Sequence, residues 1–215
     1  MSRGAGITWV LAAPSGTGKT TLCREILERD LHITLSVSHT TRSKRPEEDE
    51  GCHYHFVDDA EFDRMAAAGA FLEHAEYNGH QYGTSWAAID AEVSKGRDML
   101  LEIEVRGARQ VRERLPEARL IFVLPPSMSE LEQRLQNRGT DSEQAIRRRI
   151  DTAGREIDEI SRFDYAVTNS ELSHCVAEIL TIIRGERSGD RETIAALRKR
   201  FSPRAAEEGF RASSE

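Results

Sequence analysis

Ala13-Pro14-Ser15-Gly16-Thr17-Gly18-Lys19-Thr20 is the stretch that decides how this chain reads. The apolar run Ile7–Ala13 leads into it, and the spacing of Leu22, Ile26 and Leu27 predicts a helix behind it. Strand, glycine-containing loop and helix, in that order, is the phosphate-binding loop in its required context. Gly16 and Gly18 let backbone N–H groups turn inward around an anion, and the helix N-terminus adds the positive end of its dipole. Lys19 can then reach the β- and γ-phosphates, and the Thr20 hydroxyl is the expected Mg²⁺ ligand. Ala13 stands where the pattern has its first glycine; its methyl is tolerated as long as the backbone stays at negative φ. The loop, Ala13 to Thr21, predicts a bound nucleoside triphosphate. By itself it does not separate a GTPase, an ATPase motor and a small-molecule kinase.

Four further apolar runs follow: Ile33–Val37, Met99–Ile103, Leu120–Leu124 and Tyr165–Val167. None alternates cleanly, which suits strands buried on both faces of a parallel sheet. Helix-period stripes lie between and after them: Leu131 and Leu135; Ile146, Ile150, Ala153, Ile157 and Ile160; Leu172, Val176, Ile179, Leu180 and Ile183. The pattern predicts an α/β fold, a five-stranded parallel core sheet with helices on both faces. Residues 38–95 read differently. His53–Val57 is a β-like run, Asp59–Ala68 is helical, and Phe71–Tyr77 leads to a turn at Asn78-Gly79. A helix then starts near Thr84 or Ser85, with Thr84 a good N-cap. This is an inserted α+β subdomain. The expected boundaries are core 5–37 and 96–187, insertion 38–95, and a tail 188–215. In the tail a short helix around Ile194 and Leu197 precedes a mobile last dozen residues.

Composition narrows the partners. The 215 residues carry 30 basic and 37 acidic side chains, a net charge of −7, so a general nucleic-acid polymer or anionic-membrane binder is excluded. No apolar run approaches the roughly 20 residues that span a bilayer. Lys19, Lys44, Lys95 and Lys199 are the only lysines; all other basic charge is arginine. Cys23, Cys52 and Cys175 are widely spaced, which fits thiols in the cytoplasm better than a disulfide framework. Cys52, His53, His55 and His39 raise the idea of a metal site. In a β-like run, however, Cys52 and Tyr54 face one way and His53 and His55 the other, so they read as idle side chains. Oligomeric state is left open.

Two guanidinium groups three residues apart, Arg42 and Arg45, with Tyr54 nearby, suit a phosphate dianion. The motifs around them resemble the guanylate kinase family. They are Ser36-Val37-Ser38-His39-Thr40-Thr41-Arg42-Ser43-Lys44-Arg45-Pro46, Gly51-Cys52-His53-Tyr54-His55-Phe56-Val57, Phe71-Leu72-Glu73-His74-Ala75-Glu76 and Tyr82-Gly83-Thr84. The series continues through Leu101-Glu102-Ile103-Glu104, Gly107-Ala108-Arg109-Gln110-Val111, Phe122-Val123-Leu124-Pro125-Pro126 and Arg138-Gly139-Thr140-Asp141. It spans about Ile7 to Arg187.

The resemblance implies a P-loop nucleoside-monophosphate kinase fold with a GMP-binding insertion and a small helical lid at about 136–150. It implies transfer of the γ-phosphoryl group of ATP to GMP, and to dGMP, with Mg²⁺. It places Arg42, Arg45, Tyr54 and Tyr82 on the GMP phosphate, Glu73 on the guanine N1–H and N2 amine, and Ser38 and Thr84 on the O6 side. Adenine would leave a buried carboxylate unpaired, which costs on the order of 10⁴–10⁵ in discrimination at a site built for hydrogen bonds.

Glu102 and Glu104, at i and i+2 and so on one face, stand where the family carries aspartates that contact GMP or the Mg²⁺ water shell. Val105-Arg106 replaces the usual Trp-Gln, and Arg106 has no assigned role. Ser129 is the expected cap of a helix carrying Arg134 and Arg138, broken by Gly139-Thr140. Arg134, Arg138 and Arg149 align with the lid arginines, whereas Arg147 and Arg148 read as solvated. Asn169 resembles the residue near the adenine. Two alternatives remain: a same-fold kinase for another phosphorylated acceptor, against which Ser38, Glu73 and Thr84 argue, and a binding-only relative, against which the intact Gly18-Lys19-Thr20 argues.

Overall fold

The computed structural model describes residues 6–77, 79–137 and 142–213. Strand β1 (Thr8–Ala12) is buried along its whole length. Helix α1 (Lys19–Arg29) follows the phosphate loop and buries Leu22, Cys23 and Ile26. With β2 (Ile33–Leu35), β7 (Asp98–Ile103), β8 (Arg119–Leu124) and β9 (Tyr165–Thr168), β1 forms a five-stranded sheet in the order β2-β7-β1-β8-β9. The β2–β7 and β8–β9 ladders run parallel, Ile33 opposite Asp98 and Ile121 opposite Tyr165. These are the five expected apolar runs; β1, β7, β8 and β9 are buried along nearly their whole length, whereas in β2, at the edge, only Ile33 is buried.

A second sheet, β4-β3-β6-β5, is built from β3 (His39–Thr40), β4 (His55–Phe56), β5 (Phe71–Tyr77) and β6 (His80–Ser85). Strand β5 is its edge and pairs antiparallel with β6, with a bulge between Phe71 and Glu73. The rings of Phe62, on α2 (Asp59–Ala67), and Phe71 stack at 4.6 Å. Gly83 lies beneath them, and a Cβ there would come within 2.9 Å of Phe71 and 3.1 Å of Phe62. Glycine at 83 is what lets both rings pack onto β6. Helix α3 (Trp86–Val93) follows β6 directly and is capped by Ser85, whose hydroxyl accepts from the Ala88 N–H, rather than by Thr84. Thr84 is a strand residue whose hydroxyl is committed elsewhere.

Contacts divide the chain into two units. One is Met1–Trp9, His32–Leu101 and Arg106–Ala118; the other is Val10–Leu31, Glu102–Val105 and Arg119–Glu215. The first contains the second sheet and nearly all of α4 (Val105–Arg114). The second contains the phosphate loop, α5 (Met128–Asn137), α6 (Glu143–Ile157), α7 (Leu172–Ser188), α8 (Arg191–Arg200) and α9 (Pro203–Ala212). The α5 cap is Ser127, which accepts from the Glu130 N–H, two residues before the expected Ser129.

The tail, whose last dozen residues are expected to be mobile, carries α9, with Pro203 at its first turn and Phe210 buried. Phe201 is also buried, and its carbonyl accepts from the Ala166 N–H of β9. Two aromatics spaced nine apart gave too weak a periodicity to show this in sequence. Among the described residues no helix is long and apolar enough to cross a membrane.

Candidate active site

The phosphate loop is held by side chains from distant parts of its own unit. Gly16 and Gly18 sit at φ +98° and +96°, a region that L side chains rarely adopt. The Asn169 side-chain amide, just past β9, donates to the Thr17 carbonyl at 2.7 Å. A Cβ on Gly18 would lie 3.0 Å from that amide nitrogen, so Asn169 and Gly18 close on each other. The sequence reading put Asn169 near the adenine; in the structure its amide braces the loop. Ala13 and Pro14 are buried. Ser15 accepts a 2.6 Å bond from Arg149 on α6, and Arg134 on α5 donates to the Asn169 carbonyl at 3.2 Å and to Glu130 at 3.1 Å. Arg147 and Arg148 are exposed, as a helix that buries Ile146 and Ala153 requires. Arg138, and with it the Gly139-Thr140 break and part of the expected lid, lies outside the described residues, as does Asn78.

Lys19 and Thr20 open α1. The Lys19 ammonium donates to the Ile103 carbonyl at 2.8 Å and the Glu104 carboxylate at 3.0 Å. The Thr20 hydroxyl donates to Glu102 at 2.5 Å. Both glutamates therefore meet the phosphate loop. Glu104 lies one residue past the end of β7, rather than in the strand. Thr21 is exposed. The Thr17 hydroxyl, in the phosphate loop, is buried with no hydrogen-bond partner.

Glu156, which sequence reasoning did not single out, is the other acid near Lys19. Burial first, and Glu104 second, push its carboxyl up to about 7, with Lys19 opposing. A carboxyl that holds its proton to about pH 7 when folded and releases it near 4.5 when unfolded loses stability as pH climbs between those values. Glu156→Gln removes that loss. The variant is expected to melt higher than the parent at pH 8, with a clearly smaller gain at pH 5. Equal gains at both pH values would show that Glu156 does not titrate this way.

The second cluster lies in the other unit. The Arg42 guanidinium makes a two-pronged pair with Glu48, at 2.6 and 3.0 Å, and stands 5.4 Å from the Tyr54 ring centroid and 5.8 Å from that of Phe56. The Tyr54 and Tyr82 rings meet edge to face at 5.9 Å. Arg42 is held fully ionised by Glu48, with Tyr82 adding. Arg42 and the Arg45 N–H, 2.9 Å from Glu48, hold the Glu48 carboxyl down at about 2. Arg45 itself is exposed. Glu48 is the partner of Arg42 that the sequence does not reveal. It sits in Glu47-Glu48-Asp49-Glu50, and nothing local distinguishes it from its three acidic neighbours. His53 accepts from the Asp49 N–H, and His55 pairs with Glu50 at 3.1 Å.

The third cluster shares that unit. Glu73 and Thr84 are cross-strand partners in the β5–β6 ladder, which puts their side chains on one face. The Thr84 hydroxyl donates to Glu73 at 2.7 Å and lies 3.5 Å from the Ser38 hydroxyl. Glu73 is 5% exposed and Thr84 fully buried. A carboxylate buried this deeply, beside two hydroxyls, suits a ligand edge with paired N–H donors next to an acceptor.

A family model described as guanylate kinase matches residues 6–186. Guanylate kinase of Methylobacillus flagellatus is 46% identical over 182 residues, 85% of this chain and 90% of that protein. That of Sphingopyxis alaskensis is 46% identical over 193 residues, 89% and 88%. The crystal structure of guanylate kinase from Anaplasma phagocytophilum matches with a TM-score of 0.70 at 34% identity, covering 86% of this chain and 87% of that one.

Proposed function

Because the chain belongs to the guanylate kinase family, and so is an ATP:GMP phosphotransferase, we propose that its three side-chain clusters divide the reaction between them. The phosphate loop from Ala13 to Thr21 takes the ATP phosphates, with Asn169 beside it. Arg42, Arg45, Tyr54 and Tyr82 take the GMP phosphate; Ser38, Glu73 and Thr84 take the guanine; Glu102 and Glu104 complete the acceptor side. Lys19, Arg42, Arg134, Arg138 and Arg149 neutralise charge on the transferring group. The observation that carries the base assignment is the buried Glu73 carboxylate with Thr84 at 2.7 Å. It accepts from guanine N1–H and the N2 amine together, which adenine does not offer.

The phosphate monoester of GMP loses its last proton at about pH 6, so at neutral pH it is already a dianion and the enzyme needs no general base. What remains is orientation and charge neutralisation. Lys19, released from Glu104, turns its ammonium to the phosphates. Arg149, released from Ser15, does the same from α6, and Arg134 acts from α5. The segment 136–150, as a lid, excludes water while transfer occurs.

Mg²⁺ fits the residues present. The Thr20 hydroxyl and the Glu102 carboxylate, 2.5 Å apart, are hard oxygen donors of the kind that ion selects. Thr20 would hold it, with Glu102 toward its water shell. Bound with ATP, it would supply charge neutralisation on the β- and γ-phosphates. We place the reaction in the cytoplasm, with ATP and GMP as partners.

A panel of GMP, dGMP, AMP, IMP and ribose phosphates, with ATP and Mg²⁺ held constant, tests this reading. GMP and dGMP are expected to turn over, IMP more weakly because it lacks the N2 amine, and AMP and ribose phosphates hardly at all. IMP used as well as GMP would remove Glu73 from base reading.

A further inference from the structure

We infer that Gln110 and Arg114, on α4, are positioning residues that set guanine selectivity by fixing the backbone on both sides of Glu73. The inference rests on Glu73 as the base reader and goes beyond it. Strand β5 is the edge of its sheet, so one side of its backbone has no strand partner among the described residues. On that side the Gln110 side-chain amide takes a strand's place. Its oxygen accepts from the His74 N–H at 3.2 Å, and its nitrogen donates to the His74 carbonyl at 2.8 Å. One turn on, an Arg114 guanidinium nitrogen donates to the Phe71 and Leu72 carbonyls, each at 3.1 Å. That is where the ladder shifts register, between Phe71 and Glu73.

An edge strand is paired on one side only, and a slip of one residue would turn its side chains to the opposite face. At Glu73 such a slip would carry the carboxylate away from Thr84. Four backbone groups bracketing Glu73 are instead tied to two side chains four apart on one helix face, so the carboxylate is aimed before the ligand arrives. The bonds of Gln110 and Arg114 to this strand go to backbone groups of His74, Phe71 and Leu72. They act through the peptide backbone.

The test compares Gln110→Met, of similar length and helix propensity but without the amide, with Glu73→Gln and the double variant, using GMP and IMP. Gln110→Met is expected to raise KM for GMP about tenfold and to lower the GMP-over-IMP ratio of kcat/KM at least about threefold, with KM for ATP held within about twofold. Gln110→Glu, which keeps the acceptor for His74 N–H and loses the donor, is expected to fall between parent and Gln110→Met. In a Glu73→Gln background, where the ratio has already collapsed, Gln110→Met is expected to change it no further. A ratio unchanged in Gln110→Met while Glu73→Gln collapses it overturns the positioning role and leaves the base reading standing. A ratio unchanged in Glu73→Gln overturns both. A general loss of packing would shift the melting temperature and the ATP and GMP constants together, and that outcome also overturns the proposal.

Discussion

Lys19→Ala is expected to lower kcat by about 10²–10³, the loss typical of removing one donor aimed at developing charge in a closed site. The geometry supports a loss in turnover rather than in folding. The Lys19 ammonium is mostly buried and directed at the Ile103 carbonyl and Glu104, at the mouth of the phosphate loop. Alanine is the best helix former, so the first turn of α1 is not weakened. Glu104 loses its partner but is 40% exposed, and water can solvate it. The melting temperature should therefore move by only a few degrees, at most about what a 1 kcal/mol change produces in a domain this size. Lys19→Arg is not expected to rescue the rate, because a planar guanidinium does not place one compact charge at the same point. A Lys19→Ala enzyme with near-parental turnover would show that Lys19 has no part in transfer.

Arg42→Met is expected to lower kcat/KM for GMP by about 10² or more while KM for ATP stays near the parental value, since charge-assisted phosphate contacts are among the strongest single interactions. The same substitution also strands Glu48, which has two bonds to Arg42 and is held at about 2 by it. A drop in melting temperature should accompany the loss of activity. The double variant Arg42→Met/Glu48→Gln separates the two effects. A neutral amide at 48 still accepts from the Arg45 N–H and no longer needs a cation. Melting temperature is expected to recover in the double variant, and kcat/KM for GMP is not. Recovery of both would mean that Arg42 serves the fold and not the phosphate.

The two variants illustrate how unevenly the site is legible. Gly16, Gly18, Lys19 and Thr20 are contiguous, and backbone geometry makes their joint purpose readable without the rest of the chain. Glu73 and Thr84 became a pair only through the β5–β6 ladder, and the bulge at Phe71 decided that Glu73, not Leu72, lies opposite Thr84. Thr84 spends its hydroxyl on Glu73, so the α3 cap passes to Ser85. Asn169 was visible as a residue just after β9, but not as the brace of a loop 152 positions earlier.

From the sequence alone came the five buried strands, the phosphate loop between the first strand and its helix, and the motif series that marks the family. Each is local, written in neighbouring residues or in a fixed period, so chain order alone carries it. Tertiary structure decided which of four consecutive acids pairs with Arg42, why Glu156 keeps its proton to about pH 7, and that an amide on α4 completes the edge of β5. Burial and charge–charge contact depend on distance through space. Acids of one short run, such as Glu47 and Glu48, therefore acquire different chemistry only when the fold brings one of them to a cation.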